Sequence, residues 1–525
     1  MGVAILVFIV LPVLAVLVRS VGVGGDGFTL DNYSAFFDRY YLGAYWNSIK
    51  AALLSTLIVV ALGVFVSLYV TRGRGIGSKF VSGIALLPLV APPFVFSLAL
   101  IILFGRRGLA TNWLNSTFDL NLSIYGFKGV VLAQVLGNFP VAYMLIETTM
   151  RSLNPTLEAA SQDLGASQWR TLTRVTLPLS KVGITKSALL VFVMAIADFS
   201  NPLVIGGNTR FLASETYLLV VGQFNLELAA VASVFLIIPG ALIFILQTYV
   251  MKGDVTSIDT DSGAGHNPLT GWVRGLVTTV TYAFSAFVLL MFGMVAVGAF
   301  VKIPGVNNSF TLDNFGGTAS TTALTNSIVV SLLAAILAAA LGMLQGFLFV
   351  RKPIPAKQSL EFLTLFGLAV PGTAMGIGYL IMFGGAPFFW TNTVGLLIVN
   401  MAFRKIGVGM QAAIAKMHQI DESMEEASAD LGVGPYRTFA RVIVPIMAPS
   451  FVAGFVYAFM TAMVSVSAVI FLVGPGTELA ATYILTLAES AKVGMACAVS
   501  LVLIVIVLAS LALLKVIERR FGVKI

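Results

Sequence analysis

Cysteine occurs once and histidine twice in 525 residues. A lone Cys497 excludes any disulfide framework within the chain. His266 sits in a polar stretch and His418 far from it, so those two and a thiol inside an apolar run do not predict a metal site. Charge is equally scarce: Asp, Glu, Lys and Arg make up 10% of the residues, against about a quarter in an ordinary soluble domain. The phosphate-cradling pattern G-x-x-x-x-G-K-[ST] is missing, since "GRGIGSK" at 73–79 has neither its spacing nor a soluble strand before it. The chain therefore does not hold ATP by that device. An intramembrane enzyme would need a convergent nucleophile, acid/base or metal set, which Cys497, two histidines and Asp198 do not supply by sequence.

Apolar residues fill the gap. They account for 58% of the chain, and the mean hydropathy is +0.97. Crossing the hydrocarbon layer takes about 20 apolar residues in a helix, and such runs recur while alternating strand patterns do not. The fold class that follows is an all-α integral membrane protein with about twelve spans, at 3–19, 46–70, 81–104, 128–148, 184–205, 229–250, 275–300, 326–350, 360–383, 393–415, 450–473 and 493–515. The first run reads as an uncleaved span, because no Lys or Arg precedes it as in a signal peptide. Its abrupt start also fits a longer natural N-terminus.

Basic residues set the orientation, because short cytoplasmic loops collect Lys and Arg. "TRGRGIGSK" at 71–79, the stretch with Arg151, Arg170, Arg174, Lys181 and Lys186, "RKPIPAK" at 351–357 and the tail "KVIERRFGVK" fall on one side when twelve spans are threaded alternately. That side, with both termini, is expected to be cytoplasmic. The net charge of +8 is then a topology signal, and no basic cluster outside the membrane context points to nucleic acid.

Internal repetition supplies the domain organisation. "EAASQDLGASQWRTLTRVTLP" from Glu158 returns 267 residues later as "EEASADLGVGPYRTFARVIVP" from Glu425, with 11 of 21 positions identical. Upstream, "NSIKAALLSTLIVVALGVFVSLYVTR" from Asn47 resembles "NSIVVSLLAAILAAALGMLQGFLFVR" from Asn326, at an offset of 279, and "FTLDNY" from Phe28 returns as "FTLDNF" from Phe310. Two six-span halves in tandem result, expected at 1–250 and 274–525 with a cytoplasmic linker at 251–273. Even span numbers put both repeated passages in one compartment, giving a parallel repeat about an axis along the membrane normal.

The passage itself reads as helix, turn, helix. Asn154 and Asp421 suit an N-cap and Pro155 the first helical position. Leu153, Leu157, Ala160 and Leu164 share a face, and Gly165 or Gly432 ends the helix where φ is positive. Loops usually diverge faster than packed spans, yet these loops are the most similar part of the two halves. A shared partner surface accounts for this, and a partner with two equivalent sites is expected to be a symmetric dimer.

On these residues the chain resembles the ABC importer permeases of the type I, methionine- or maltose-permease-like fold. Their EAA loop is matched by Glu158, Ala159, Ala160, Gly165 and Pro178, and again by Glu425, Glu426, Ala427, Gly432 and Pro445, with Glu426 in place of the usual Ala. The fused pair is similar to bacterial ferric-iron permeases. The resemblance implies that each EAA helix, with Asp163 and Asp430 on it, docks in a cleft of a dimeric cytoplasmic ATP-binding subunit. Glu158 and Glu425 would there contact basic or polar groups. It also implies a periplasmic or lipid-anchored substrate-binding protein on the outer face, a bacterial inner-membrane location, and no cofactor in this chain, ATP and Mg being held by the partner.

Ferric iron is the expected cargo, since "ADFSNPLVIGGNTRFLASETY" from Ala197 resembles ferric permeases, with phosphonate, thiamine and polyamine as alternatives. An ion-coupled secondary transporter is more remote, because it would invest in several intramembrane carboxylates and needs no duplicated docking loop. Asp198 at membrane depth is either functional or a capping carboxylate for a broken helix. Arg404 and Lys405 are expected to snorkel or pair near the cytoplasmic end of their span, and Glu215, Asn208 and Arg210 to be loop-exposed. Pro92 and Pro371, at the 279 offset, mark a gate, a hinge or plain packing.

Overall fold

The computed structural model describes residues 1–525 apart from 25–26, 74–76, 120–122, 248–267, 386 and 522–525. The expected linker falls largely on 251–267, so that stretch, with His266, lies outside the described residues.

Ten of the helices described in the first half recur in the second: α1 (Gly2–Val21), α2 (Arg39–Arg72), α3 (Ser78–Val90), α4 (Val95–Phe104), α5 (Phe127–Arg151), α6 (Pro155–Asp163), α7 (Gln168–Leu179), α8 (Lys181–Ile196), α9 (Leu212–Val221) and α10 (Leu226–Ile245), with the short helices Asp31–Phe36, Leu109–Phe118 and Ser200–Ile205 beside them. Ten more repeat them in order: α11 (Gly271–Ala299), α12 (Thr318–Arg351), α13 (Lys357–Ala369), α14 (Gly372–Phe383), α15 (Val394–Met417), α16 (Ser423–Asp430), α17 (Pro435–Ile446), α18 (Ala448–Met463), α19 (Ala480–Glu489) and α20 (Val493–Phe521). A small antiparallel hairpin follows the first helix of each half, Val23–Gly24 with Gly27–Phe28 and Val301–Ile303 with Asn307–Phe310.

The contacts repeat with the helices. α2 packs on α5 and α8, and α12 packs on α15 and α18. The first helix of each half reaches across the seam: α1 lies on α10 of its own half and α14 of the other, and α11 lies on α20 and α4 in the same way. This exchange is what a two-fold related tandem repeat requires. Small residues allow the closest approaches, because lipid offers no hydrophobic drive between helices and backbone contact must supply it. Gly342 and Gly346 lie on the α15-facing side of α12, where a Cβ added at Gly342 would stand 2.9 Å from the Gly409 carbonyl carbon. Ser67 in α2 bonds the Tyr143 carbonyl across the matching contact.

Eight helical segments are long and apolar enough to cross a bilayer, one of them, Val95–Phe118, interrupted at 105–108, and three bent pairs raise the number to eleven among the described residues. The twelfth expected span is α15, whose apolar character is interrupted by Arg404 and Lys405. Four expected spans are broken instead of straight. The run 81–104 divides at Pro92 and Pro93, and 360–383 divides at Pro371, where α13 and α14 meet at 107°. Proline lacks the N–H that would continue the ladder. The run 184–205 stops at Ile196 and restarts as Ser200–Ile205, and 450–473 stops at Met463, ten residues early.

Candidate functional site

The two repeated passages fold alike. Asn154 Oδ1 accepts from the Thr156 N–H at 2.9 Å, and Asp421 Oδ1 from the Ser423 N–H at 2.9 Å. That second bond holds the Asp421 carboxyl below the usual carboxylate range. At the other end of α6, Gly165 has φ +83° and its N–H reaches Gln162 O, while Ala166 N–H reaches Ser161 O. Gly432 repeats this with φ +75°, reaching Ala429 O, and Val433 N–H reaches Ser428 O. Both are helix ends of the paired 6→1 and 5→2 kind, where glycine avoids the Cβ penalty.

A hydroxyl pair then fastens the two arms of each passage, Ser161 with Thr171 at 3.1 Å and Ser428 with Thr438 at 2.7 Å. A single π-turn follows in each, Leu172–Thr176 and Phe439–Ile443, and the chain bends by 65° and 67° into α8 and α18. In the first half Gln168 also donates to Pro268 O at 2.7 Å and accepts from the Thr270 N–H, pinning the start of α11 beside this loop.

The face that Leu157 and Leu164 share is turned outward: they are 43% and 89% exposed, and Leu431 and Tyr436 are both 82% exposed. Ala160, Asp163, Gly165, Glu426, Ala427, Asp430 and Gly432 are exposed beside them, with Ala159 half-buried. A groove of about 670 Å³ runs along the first loop between Leu157, Leu164, Arg174 and Pro178. Leu157, Ala160, Leu164 and Pro178 line that groove together with Arg170 and Arg174.

Glu158 and Glu425 point the other way. Glu158 is buried against Arg72, the last residue of α2. Nη2 donates to Oε1 at 2.6 Å, Nε lies 3.0 and 3.1 Å from the two oxygens, and Thr176 Oγ1 adds 2.7 Å. In the second half Arg351, ending α12, donates to Glu425 at 2.7 Å, to Glu422 at 3.1 Å and to Ile420 O at 2.6 Å. The expectation that these glutamates face an external cleft is thus corrected: each is engaged by an arginine of its own half. The carboxylates anchor the loops, and the apolar residues around them form the free face.

Among the membrane-depth candidates, Asp198 takes the capping role. Its Oδ1 accepts from the Asn201 N–H at 3.2 Å and from Ser200 Oγ, and its Oδ2 accepts from Asn201 Nδ2 at 2.9 Å. It starts Ser200–Ile205 as an N-cap would. Pro92 and Pro371 sit at full helix breaks. At the second, a Cβ on Gly240 of the first half would lie 2.9 Å from Ala369 O, so the halves touch closely there.

Arg404 is near the middle of α15, not at its cytoplasmic end as expected. Its Nη2 lies 3.5 Å from Val370 O at the α13 break, and Lys405 Nζ stands 5.8 Å over the Tyr457 ring. Glu215, expected in an exposed loop, is buried in α9 and accepts from Tyr40 OH at 3.0 Å. Asn208 and Arg210 are exposed, with Arg210 stacked 3.9 Å over Tyr40.

The family model described as "Binding-protein-dependent transport system inner membrane component" matches residues 59–253 and again 338–523. The chain belongs to this family. It is a multi-pass inner-membrane permease subunit of a binding-protein-dependent importer. Among curated proteins, the ferric transport system permease protein FbpB of Actinobacillus pleuropneumoniae is 32% identical over 96% of this chain and 75% of its own length. A putative FbpB 1 of Haemophilus influenzae is 32% identical over 91% and 77%. The molybdenum permease ModB of Haemophilus influenzae is 29% identical over 39% of this chain. Among solved structures, a bacterial alginate ABC transporter in complex with an alginate-bound periplasmic protein aligns with TM-score 0.40 at 17% identity, over 48% of this chain and 92% of that one.

Proposed function

We propose that this permease imports ferric iron, driven by a dimeric cytoplasmic ATP-binding subunit that docks on α6–α7 and α16–α17. The observation that carries the docking is the exposure of Leu157, Leu164, Leu431 and Tyr436 on two loops of one geometry. Around them Ala159, Ala160, Asp163, Gly165, Glu426, Ala427, Asp430 and Gly432 form the contact surface, with Glu158 and Glu425 holding it from behind. ATP and Mg belong to that partner, and this chain carries no cofactor of its own. The clustering of basic residues at one set of loops favours cytoplasmic termini, and a substrate-binding protein then meets the opposite face. The units 1–250 and 274–525, joined by 251–273, are the two permease domains, with the breaks at Pro92 and Pro371 as the gate region between them.

Iron is favoured because the ferric permeases resemble the fused chain over nearly its whole length. Molybdate is the second reading, favoured by relatives that match only one half. The test is uptake of radiolabelled ferric iron in cells with the chain deleted and then restored, with molybdate uptake beside it. Iron uptake that follows the chain supports the reading, and iron uptake independent of the chain, with no redundant iron route, overturns it. Uptake that persists when ATP hydrolysis is blocked and the ion gradient is intact would return an ion-coupled carrier.

A further inference from the structure

The "NSI" that opens both long repeats is not used by the docking surface, yet both copies make the same contact. Ser48 Oγ in α2 accepts from the Leu212 N–H at 2.8 Å, and Asn47 Nδ2 donates to Arg210 O at 3.1 Å. In α12, Ser327 Oγ accepts from the Ala480 N–H at 2.6 Å, and Asn326 Nδ2 donates to Gly476 O at 2.9 Å and Glu478 O at 3.1 Å. Leu212 and Ala480 are the first residues of α9 and α19, whose leading N–H groups have no partner within their own helix. Each long helix thus caps a short buried helix of its half.

Those short helices lie on the seam between the halves. The Tyr217 ring in α9 is 6.0 Å from Phe471 of the second half, and α19 packs on Ser200–Ile205 of the first. At the far end of the same long helices stand Arg72 and Arg351, each bonded to a docking-loop glutamate. Ser48 to Arg72 and Ser327 to Arg351 are equal intervals of 24 residues, about 36 Å at 1.5 Å per residue. α2 and α12 contain no proline, while α5 and α10 do.

We propose that α2 and α12 are connecting rods, each tying a docking loop at one end to a seam helix at the other, with Asn47, Ser48, Arg72, Asn326, Ser327 and Arg351 as positioning residues for coupled transport. The proposal rests on the ATP-driven reading above. A pull on Glu158 or Glu425 reaches α9 or α19 through one unbroken ladder of backbone bonds, without passing through the kinked helices.

Substitutions this far apart ordinarily act independently, whereas parts of one working unit do not. The test uses the second half, where the ion pair is more exposed: Arg351→Gln, Asn326→Ala with Ser327→Ala, and all three together, in the full chain. Iron uptake should fall about tenfold or more at each end while the ATP-binding subunit still copurifies, and the combination should be no slower than the worse end. Ser327→Thr, which keeps the hydroxyl, should restore uptake. Effects that multiply, or full uptake in either end variant, overturn the rod. A variant missing from the membrane is replaced by Arg351→Lys at one end or by Asn326→Ala alone at the other and read in the same cycle. Absence of any copurifying ATP-binding subunit from the unaltered chain overturns the importer reading instead. If that complex forms but imports no iron, the cycle is read as its ATP hydrolysis, where the same non-additivity is required.

Discussion

Replacing Glu158 by Gln and Glu425 by Gln should give very different losses of stability. Side-chain exposure is 2% for Arg72 and 5% for Glu158, against 7% for Arg351 and 25% for Glu425. Removing one member of a buried pair leaves an uncompensated charge and costs about 3–5 kcal/mol. In Glu158→Gln the Arg72 guanidinium keeps Thr71 Oγ1 as its other side-chain acceptor, so that range applies. In Glu425→Gln, Arg351 retains Glu422 and the Ile420 carbonyl, and the loss should be about 0–1 kcal/mol, as for exposed pairs. At about 2–4 °C per kcal/mol for a cooperative unit of this size, the thermal midpoint should drop by about 6–20 °C in the first variant and by no more than about 4 °C in the second. The chain reports its own unfolding, because its single thiol, Cys497, is 0% exposed and reacts with a fluorogenic maleimide only once the bundle opens. Equal shifts for the two variants, or no shift for Glu158→Gln, would refute the burial argument.

Gly165→Val with Gly432→Val should abolish uptake and leave membrane abundance unchanged. No heavy atom lies within 4 Å of either added Cβ, so the cost is the left-handed backbone alone, about 1–2 kcal/mol or somewhat more per site for a branched residue, read by uptake against immunoblot. Asp198→Asn keeps the cap and should hold uptake within about twofold, whereas Asp198→Ala should lose about 0.5–2 kcal/mol in the same thiol-reactivity melt. Gly342→Leu forces a side chain against the backbone at Ile406–Met410 and should cost at least about 1–3 kcal/mol, seen as loss of monodisperse protein on size exclusion.

The bundle was legible because period and composition are local properties. The docking turn was legible too: Gly165 and Gly432 stand where the αL position falls, and Asn154 and Asp421 where the caps fall. Burial on α6 was not. Periodicity puts Leu157 and Leu164 on one face without saying which way that face turns, and the ion pair decides it, turning Glu158 in toward Arg72 and the leucines out. The signal was present, since Arg72 and Arg351 end the two long repeats at the same offset, but pairing across 86 and 74 residues cannot be read from spacing along one helix. Broken spans were missed for a similar reason. Hydropathy measures what a segment dissolves in, and Pro371 or Asp198 changes its hydrogen bonding without changing its solvent.

Sameness and difference between the halves are distributed unevenly. The repeated loops agree down to the Ser161–Thr171 and Ser428–Thr438 bonds and the π-turns behind them, as two equivalent sites for one symmetric partner would under the proposed function. The helix-cap contacts of Ser48 and Ser327 agree as well. At membrane depth the agreement ends. Asp198 answers to Ser465, while Arg404 and Lys405 answer to Gly137 and Asn138. Intramembrane charge is costly and needs a reason in either copy, so a role shared by both halves would retain it in both. The two halves thus carry different charged groups at these positions, a carboxylate in the first and two cations in the second, and no two-fold requirement acts on them. Asp198 is taken up by the cap of Ser200–Ile205, a short helix with no counterpart between Met463 and Ala480 of the second half, so its charge follows a local break, while the repeat is intact in the loops and in the long helices that hold them.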